Sequence, residues 1–401
     1  MDALYVFITT ALPKAGAQVA GLPLTLNLLL TAYVVLRHPN QTLLNMQKHR
    51  NVMVAYSILL IFGVLSMLLA ISQGVSAFIL SQMLIVVGSP LVSIAAFRLT
   101  PEKFTKIIIV SILIVNAYAM VQYVAGIEST AIKGLTYTYG QSFTEKAIGY
   151  KADGTAQKMT STYQTGNSYG LFDALGLSYL LTRLPINRRW NVARLVALFV
   201  GFVGFMLCGS RSIQIPFCIF LVFILIQYIR QTPPRLRQNI IGGITIGCCA
   251  LAVFAATQPE LIAKFKDRLV TQTLADPTAS GRTKQWQNIL DNIVQLDGHG
   301  LVRQFLFGKN PMASYGGEGL PKFFVLFGLP CTVAFYVGLI FLITTCWKNQ
   351  YTKTVALGIL CATIAFCVDQ SFLYPPNIMN VYLFYAAAQR LAVTLEHQTL
   401  P

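Results

Sequence analysis

The four-residue corner Gly209-Ser210-Arg211-Ser212 places one arginine between two strongly apolar stretches of the chain. An ionisable residue at membrane depth is costly and for that reason indicates function. The alternative is an arginine that extends from a helix end to the lipid headgroups. Ser210 and the helix expected from Ser212 onward add a hydroxyl and backbone N–H donors, which suit an anion. Together with the planar guanidinium of Arg211, this corner favours a phosphate ligand.

A second group of candidates lies in the long polar segment from Thr257 to Lys322, which separates two apolar stretches. Connections this long are uncommon and usually functional, so we expect the segment to form a lid over an active site. Arg282 begins an amphipathic stretch for which Ser280 is suited as the N-cap. A cation in the first turn opposes the helix macrodipole and indicates anion binding, although a solvated surface arginine has the same pattern. The apolar face of this helix, expected to rest on the membrane or the bundle, comprises Trp286, Ile289, Leu290 and Ile293.

Three carboxylates are candidates for acid–base chemistry. Glu318 lies between glycines that allow close approach of a ligand, and its side chain is suited to act as a general base. The alternative is a solvated carboxylate paired with Lys322. Asp369, at the outer end of an apolar stretch, is a weaker candidate of the same kind. Asp173 lies within an apolar stretch and is suited to pair with a buried arginine, so the choice of base stays open.

Other polar residues are candidates for substrate binding. Tyr163, Thr165 and Asn167 mark a polar entry to an apolar stretch, where they suit either sugar hydroxyls or a helix cap. Arg303 and Lys309 in the long segment either bind substrate or cap a helix. Tyr315, Lys322 and Asp369 complete the set of binding candidates, and His299 is interpreted as an ordinary loop histidine.

The composition defines the class of protein that must hold these residues. The 401 residues are 55% hydrophobic and only 11% charged, with a mean hydropathy of +0.60, which is typical of an integral membrane protein. The apolar residues form continuous runs, which argues against a β-barrel. A net charge of +16 fits basic cytoplasmic loops better than nucleic-acid binding. All eight cysteines lie in predicted spans, no zinc spacing occurs, and no metal or other cofactor is expected.

The apolar runs predict about eleven transmembrane helices. A short apolar stretch, 1–12, precedes them. The predicted spans are 16–36, 51–71, 75–97, 106–126, 167–181, 192–208, 213–229, 239–256, 323–346, 354–368 and 378–395. The expected organisation is 1–256 with eight spans and a polar loop at 127–166, then the large loop 257–322, then 323–401 with three spans.

Basic residues predict the direction of the spans. They concentrate in the connectors near 37–50, 98–106, 183–194, 230–237 and 348–353 and at Arg390. Because cytoplasmic loops accumulate lysine and arginine, we assign these connectors to the cytoplasm. The N-terminus and both long loops are then expected on the periplasmic side and the C-terminus in the cytoplasm.

The order of several short motifs resembles the O-antigen polymerase and ligase superfamily. The motifs are GNSYG at the start of a span, a span ending in GSRS, then SGR, W and LFG in the long segment, and an acidic residue before FFVLFGLPC. The similarity covers about residues 163–337, and the flanking spans are similar only in hydropathy. The resemblance implies a GT-C-like helical glycosyltransferase that uses undecaprenyl-diphosphate-linked glycans at the periplasmic face of the bacterial inner membrane.

The resemblance also implies roles for particular residues. Arg211 and Arg282 correspond to the arginines that hold the diphosphate, and Glu318 falls where the ligases have a histidine that activates the acceptor. This departure favours a polymerase over a ligase. The donor and acceptor would both be lipid-linked glycans, and the resemblance implies a separate protein that regulates chain length. A lipid-linked glycan flippase or other transporter remains an alternative, as does a structural membrane protein, which would leave the arginine corner unexplained.

Overall fold

The computed structural model describes residues 1–19, 22–37, 39–40, 44, 47, 49–136, 158–182, 184–231, 282–308 and 318–399. This part of the chain is helical apart from one two-stranded antiparallel hairpin. The elements are α1 (Asp2–Ala11), β1 (Gly16–Val19), β2 (Leu22–Thr25), α2 (Leu26–Arg37), α3 (Arg50–Ser72), α4 (Ala77–Ala96), α5 (Pro101–Ala125), α6 (Ile127–Thr130), α7 (Gly166–Leu180), α8 (Arg188–Leu207), α9 (Arg211–Gln231), α10 (Arg282–Val294), α11 (Gly298–Phe307), α12 (Gly319–Lys348), α13 (Lys353–Val368), a 3-10 turn (Gln370–Leu373) and α14 (Pro375–Thr399).

Four of the described helices, α3, α5, α8 and α12, are long and apolar enough to cross a membrane. Shorter apolar helices accompany them, among them α1, α2 and α13. The described chain is therefore an α-helical protein of the membrane class, as its composition predicts. Apart from the first span, the predicted spans that fall on described residues agree with the observed helices to within five residues at each end. The predicted span 239–256 lies outside the described residues.

The first predicted span, 16–36, was wrong. Gly16–Val19 and Leu22–Thr25 form the β1–β2 hairpin, with Gly16 paired to Thr25, and the described helix in this range is Leu26–Arg37. Pro23 lacks the backbone N–H that a continuous helix would need there. The hairpin is closed by a bond from the Leu26 N–H to the Ala15 carbonyl at 2.7 Å and anchored by one from the Gly16 N–H to the Gly134 carbonyl at 2.9 Å. Apolar content alone therefore does not distinguish this hairpin from a helix.

Side-chain contacts show that neighbouring helices run antiparallel. The segments that connect the helices therefore lie at two opposite faces of the bundle. The Ser66 hydroxyl of α3 donates to the Phe327 carbonyl of α12 at 3.2 Å. Between α5 and α7, the Asn116 amide donates to Asp173 at 2.9 Å, and the Gln122 side chain accepts from the backbone N–H of Ser161 at 2.7 Å. The starts of α7, α9, α12 and α14 therefore share one face with the ends of α3, α5 and α13.

The opposite face, here the basic face, gathers the described parts of the basic connectors. His49 contacts Tyr385 with ring centroids 5.2 Å apart. Arg390 donates to the Phe97 carbonyl at 3.1 Å, and the Asn349 amide donates to Glu396 at 2.6 Å. These contacts join the connectors after α2, α4 and α12 with the last half of α14. For these three connectors and Arg390, the described residues agree with the prediction that the basic connectors lie on one side.

A pair of glycines sets how the helical part of the long polar segment packs. α12 is kinked at Gly328, which has φ of +76°, two residues before Pro330. A Cβ on Gly328 would lie 2.6 Å from the Leu306 carbonyl carbon of α11, and one on Gly308 would lie 2.5 Å from that of Leu326. The backbones of α11 and α12 are therefore in direct contact at the kink, which only glycine permits.

Candidate functional site

Four of the sequence-predicted site residues meet where α7 and α12 begin and α13 ends. We name this group the polar junction and define it as Asn167, Glu318, Lys322, Asp369 and Gln370. Asn167 lies in the first turn of α7, and Glu318 and Lys322 flank the start of α12. Asp369 and Gln370 follow α13 directly. Asn167 and Asp369, which are 202 positions apart in the chain, are thus brought to one face of the bundle.

Hydrogen bonds link the members of the polar junction in pairs. The Asn167 amide donates to the Asp369 carboxylate, and the Lys322 ammonium group donates to the side-chain carbonyl of Gln370. Asp369 is buried, with 7% of its surface exposed, while Glu318 is half-buried. Both carboxylates lie within electrostatic reach of Lys322. The junction therefore combines two carboxylates, one cation and two amides.

The close approach of α12 to α13 depends on Gly319. Its φ is +68°, and a Cβ there would lie 2.1 Å from the carbonyl oxygen of Cys367. No L-amino acid with a side chain fits that space without moving the backbone. Gly319 thus holds the start of α12, and with it Glu318, against the end of α13.

Tyr374 was missed by the sequence analysis and lies beside the junction. Burial raises the pKa of its hydroxyl to about 12, and the negative charges of Asp369 and Glu318 act in the same direction. The hydroxyl therefore stays protonated at neutral pH and is able to donate a hydrogen bond. The signal that could have found it is the polar break between two apolar spans, marked by the Pro375-Pro376 pair that follows.

The Arg211 corner lies on the same face as the polar junction. Arg211 is the first residue of α9 and is half-buried. Ser210 is buried, its carbonyl accepts from the Gln214 N–H at 2.8 Å, and its hydroxyl lies 3.2 Å from that of Ser212. The end of α8 just before the corner is held to the segment preceding α7 by a bond from the Met159 N–H to the Leu207 carbonyl at 3.1 Å. The helix start expected at this corner is confirmed.

The long polar segment is described only in part. The described residues from Arg282 to Val294 form α10, the helix that the amphipathic pattern predicts, while Ser280, Lys309 and Tyr315 lie outside the described residues. Ile289 and Ile293 are buried against Val325 of α12. Two further members of the predicted apolar face, Trp286 and Leu290, are exposed.

The next helix, α11, holds two more of the predicted residues. Arg303 is half-buried on this helix, and His299 is exposed in its first turn rather than in a loop. The neighbouring Gln304 is buried, and its side chain donates to the Phe324 carbonyl of α12 at 3.3 Å. Arg303 is thus carried by a helix packed on α12, the helix whose start carries Glu318.

Tyr163 lies inside the bundle instead of at a surface, and the half-buried Thr165 serves as a helix cap. Tyr163 is fully buried; its hydroxyl donates to the Thr10 carbonyl at 2.6 Å, and its ring stacks on Phe172 at 5.3 Å. Thr165 caps α7 by accepting from the Ser168 N–H at 3.1 Å, so the helix-cap interpretation is correct for this residue. The Tyr163 hydroxyl is used in packing α1 against the segment before α7.

Asp173 was expected to pair with a buried arginine, and this expectation was wrong. Among the described residues its Oδ1 accepts from the Asn116 amide at 2.9 Å, and the Tyr169 hydroxyl donates to the Asn116 side-chain carbonyl. Asp173 is fully buried in the middle of α7. The Asn116 amide satisfies part of the carboxyl group without bringing a second charge into the interior, and the Tyr169 hydroxyl in turn satisfies Asn116. Asp173 therefore belongs to a polar network between α5 and α7, away from the junction.

In the described part of the chain, a cavity of about 630 Å³ opens at the basic face and not at the polar junction. Within the same residues, no group of three or more histidine, cysteine or acidic side chains is placed to hold a metal ion. The carboxylates of the junction are suited to proton transfer, and the Lys322 ammonium group is suited to bind an anion. Comparisons with protein-family models and with curated proteins found no match to this chain.

Proposed function

We propose that this protein is a membrane glycosyltransferase of the O-antigen polymerase type. It would join undecaprenyl-diphosphate-linked oligosaccharide repeat units into O-antigen or a related surface polysaccharide at the periplasmic face of the bacterial inner membrane. The observation that carries the proposal is the convergence of Asn167, Glu318, Lys322 and Asp369 on the face opposite the basic connectors. That face also carries Arg211, at the start of α9.

The proposed reaction is a single displacement. The acceptor hydroxyl gives its proton to the Glu318 carboxylate, and its oxygen attacks the anomeric carbon of the donor. The bond from that carbon to the undecaprenyl diphosphate oxygen breaks, and the anomeric configuration inverts. Arg211 and Arg282 stabilise the charge that develops on the leaving diphosphate. Because the donor is already activated, this reaction requires neither a nucleoside triphosphate nor a metal in principle.

Glu318 is a better base than Asp369 on local grounds. Asp369 is buried and its carboxylate already accepts a hydrogen bond from Asn167, so it is less accessible to an acceptor hydroxyl than Glu318 is. Glu318 is half-buried, lies next to glycines on both sides and immediately precedes α12. We therefore propose that Glu318 is the general base and that Asp369 orients Asn167. Lys322, between the two carboxylates, would bind acceptor or diphosphate oxygens.

The proposal includes a topology. About eleven spans in a GT-C-like arrangement would place the polar junction and the 257–322 segment in the periplasm, with the N-terminus on that side. The basic face and the C-terminus would then lie in the cytoplasm, as expected for connectors rich in lysine and arginine. A separate protein that sets chain length would act with the polymerase.

The test is the surface glycan of a strain deleted for this protein and complemented with the wild type, Arg282→Ala or Arg211→Ala at equal expression. Polymerase function predicts lipid A cores or carrier bearing a single repeat unit when either arginine is lost. Polymer that accumulates on undecaprenyl carrier without reaching its acceptor would instead identify a ligase. Normal polymer from both variants would overturn the proposed roles of the arginines.

A flippase for lipid-linked glycans is the second candidate. It is favoured by one observation, the cavity at the basic face, since alternating access requires openings at both faces. Transporters often contain internal repeats, and the sequence offers no convincing repeat in support of this candidate. Formation of glycosidic bonds by the purified protein would exclude a pure transporter.

A further inference from the structure

The cavity at the basic face is formed by the start of α3, the turn between α4 and α5, and the last half of α14. Three cationic or ionisable side chains from two different parts of the chain line it: His49, Arg50 and Arg390. Its volume of about 630 Å³ lies in the range of small-molecule sites. Asn51 and Gln389 add amide groups to the same wall.

The charged side chains that line this cavity are all basic. No aspartate or glutamate occurs among the described residues that line it. The positive charge of Arg98 also acts on Arg390 from close by. Like charges gathered around a cavity repel one another, and a bound anion would relieve that repulsion.

Arg390 is held in a fixed orientation. Its Nη2 donates to the Phe97 carbonyl at 3.1 Å and its Nη1 to the Leu99 carbonyl at 3.5 Å. The guanidinium carbon lies 5.6 Å from the centroid of the Phe97 ring. These bonds use two of the five N–H donors that an arginine carries. A guanidinium fixed in this way is prepared to meet a phosphate oxygen without further ordering.

Two helix N-termini at the cavity add partial positive charge to that of its basic side chains. α3 begins at Arg50, and the side chain of His49 makes no capping bond to it. α5 begins at Pro101, and its capping residue Thr100 also lines the cavity. Backbone N–H groups at helix starts carry partial positive charge and favour phosphate groups. Cationic side chains and helix starts therefore act together on one volume.

We propose that this cavity binds a phosphate-bearing anion, held by Arg50, Arg390 and His49. Two sources share this chemistry: the headgroup of an anionic phospholipid and a soluble phosphate compound. Apolar side chains such as Val52 and Val393 in the same cavity are compatible with either. The site is independent of the proposed glycosyl transfer, since it lies on the face opposite the polar junction.

The experiment uses the full chain purified in detergent. In one arm, native mass spectrometry compares retention of phosphatidylglycerol with that of phosphatidylcholine. In the other arm, inorganic phosphate is titrated calorimetrically. The variants are Arg50→Gln and Arg390→Gln, with Arg188→Gln as the matched control, because Arg188 is exposed on the same face but outside the cavity.

We expect phosphatidylglycerol or phosphate to bind the wild type, and each cavity variant to weaken that binding about fivefold. Arg188→Gln is expected to change it less than twofold. Binding in the lipid arm alone identifies a headgroup, and binding in the phosphate arm alone identifies a soluble ligand. Should Arg390→Gln fail to fold, Arg50→Gln decides, since Arg50 is exposed. The proposal is overturned if neither probe is retained above phosphatidylcholine, or if Arg188→Gln weakens binding as much as Arg50→Gln.

Discussion

The polar junction and the cavity at the basic face both gather charged side chains at the ends of helices, but with opposite balance. At the junction, Glu318 and Asp369 lie around one ammonium group, that of Lys322. At the cavity, Arg50 and Arg390 face a volume whose described lining holds no carboxylate. A site with both signs is suited to move a proton, whereas a site with one sign is suited to hold an anion.

The two regions also differ in how they are built. The junction depends on contacts between helix ends that are held by Gly319, and its side chains bond to one another. The cavity is an open volume whose main cation, Arg390, is fixed by backbone carbonyls. We therefore assign proton transfer to the polar junction and anion binding to the cavity. The following predictions test the features that distinguish the two regions, from the largest expected effect to the smallest.

Glu318→Gln should reduce the rate of glycan elongation by about 10²- to 10⁴-fold, because the amide cannot accept the proton of the acceptor hydroxyl. The measurement is elongation of purified lipid-linked repeat units by the purified full chain. Glu102→Gln is the matched control, since Glu102 is exposed and pairs with Lys106 at 2.6 Å on the basic face. If Asp369→Asn abolishes elongation while Glu318→Gln retains it, the base is Asp369.

Gly319→Ala should lower the melting temperature of the detergent-solubilised protein far more than Gly74→Ala does. Both glycines have similar φ, +68° and +70°, so both variants incur the left-handed penalty of roughly 1–2 kcal/mol. Only at Gly319 would the new methyl group meet backbone, at 2.1 Å from the Cys367 carbonyl oxygen, while Gly74 has nothing within 4 Å. Equal shifts for the two variants would show that α12 and α13 are not in close contact at the junction.

Asp173→Ala should lower the free energy of unfolding by about 1–3 kcal/mol, because the buried Asn116 amide keeps its bond to the Ile112 carbonyl but loses the acceptor of its other N–H. Asp173→Asn should cost less, since its carbonyl oxygen is able to accept the same bond. The exposed Asp291 supplies the control, Asp291→Ala, which should have little effect. A large loss of elongation rate in Asp173→Asn at unchanged stability would instead bring Asp173 into the chemistry.

Lys14 lies outside both the polar junction and the cavity, and its burial predicts a pH dependence of the protein's stability. It is buried, its ammonium group donates to the Thr136 carbonyl at 3.2 Å, and burial lowers its pKa to about 7. The unfolded chain keeps this proton up to about pH 10.5, so it binds more protons than the folded chain between pH 7 and 10.5. The contribution of Lys14 to the free energy of unfolding therefore rises with pH across that window.

Lys14→Met should remove this dependence. The stability of the variant relative to the wild type should be greatest at pH 7 and below and should shrink as the pH approaches 10.5. Melting temperatures of both proteins at several pH values provide the measurement. A constant difference across the window would mean that Lys14 keeps its ordinary pKa in the folded protein.

Several features of the fold follow from local sequence. Continuous apolar runs predict helices because a backbone inside a membrane must satisfy its own hydrogen bonds. The predicted spans 51–71 and 354–368 differ from α3 and α13 by a single residue at each end or less. The basic connectors likewise predict a shared face, and the described residues bring them together. The helix start at the Arg211 corner followed from its turn residues, and the amphipathic helix over 282–294 followed from its periodicity.

Other features depend on contacts between distant residues. Apolar content does not separate the β1–β2 hairpin from the start of a helix; Pro23 argues against a continuous helix, but the hairpin is anchored by a bond from Gly16 to the distant Gly134. Tyr163 and Asp173 have the residue types of a binding site, but the fold buries them among Thr10, Asn116 and Tyr169. The same type of polar side chain is able to cap a helix, join a buried hydrogen-bond network or bind a ligand. Which of these it does depends on the residues that surround it in the fold.

The sequence by itself determined the class of protein, most helix bounds and the residues able to do chemistry, because hydropathy and charge act on each segment separately. The tertiary structure decided which of those residues meet. It joined Asn167 to Asp369 and Lys322 to Gln370, and it opened the cationic cavity beside Arg390. These arrangements arise from antiparallel packing of helices far apart in the chain, and that packing depends on pairwise fit, which no single segment encodes.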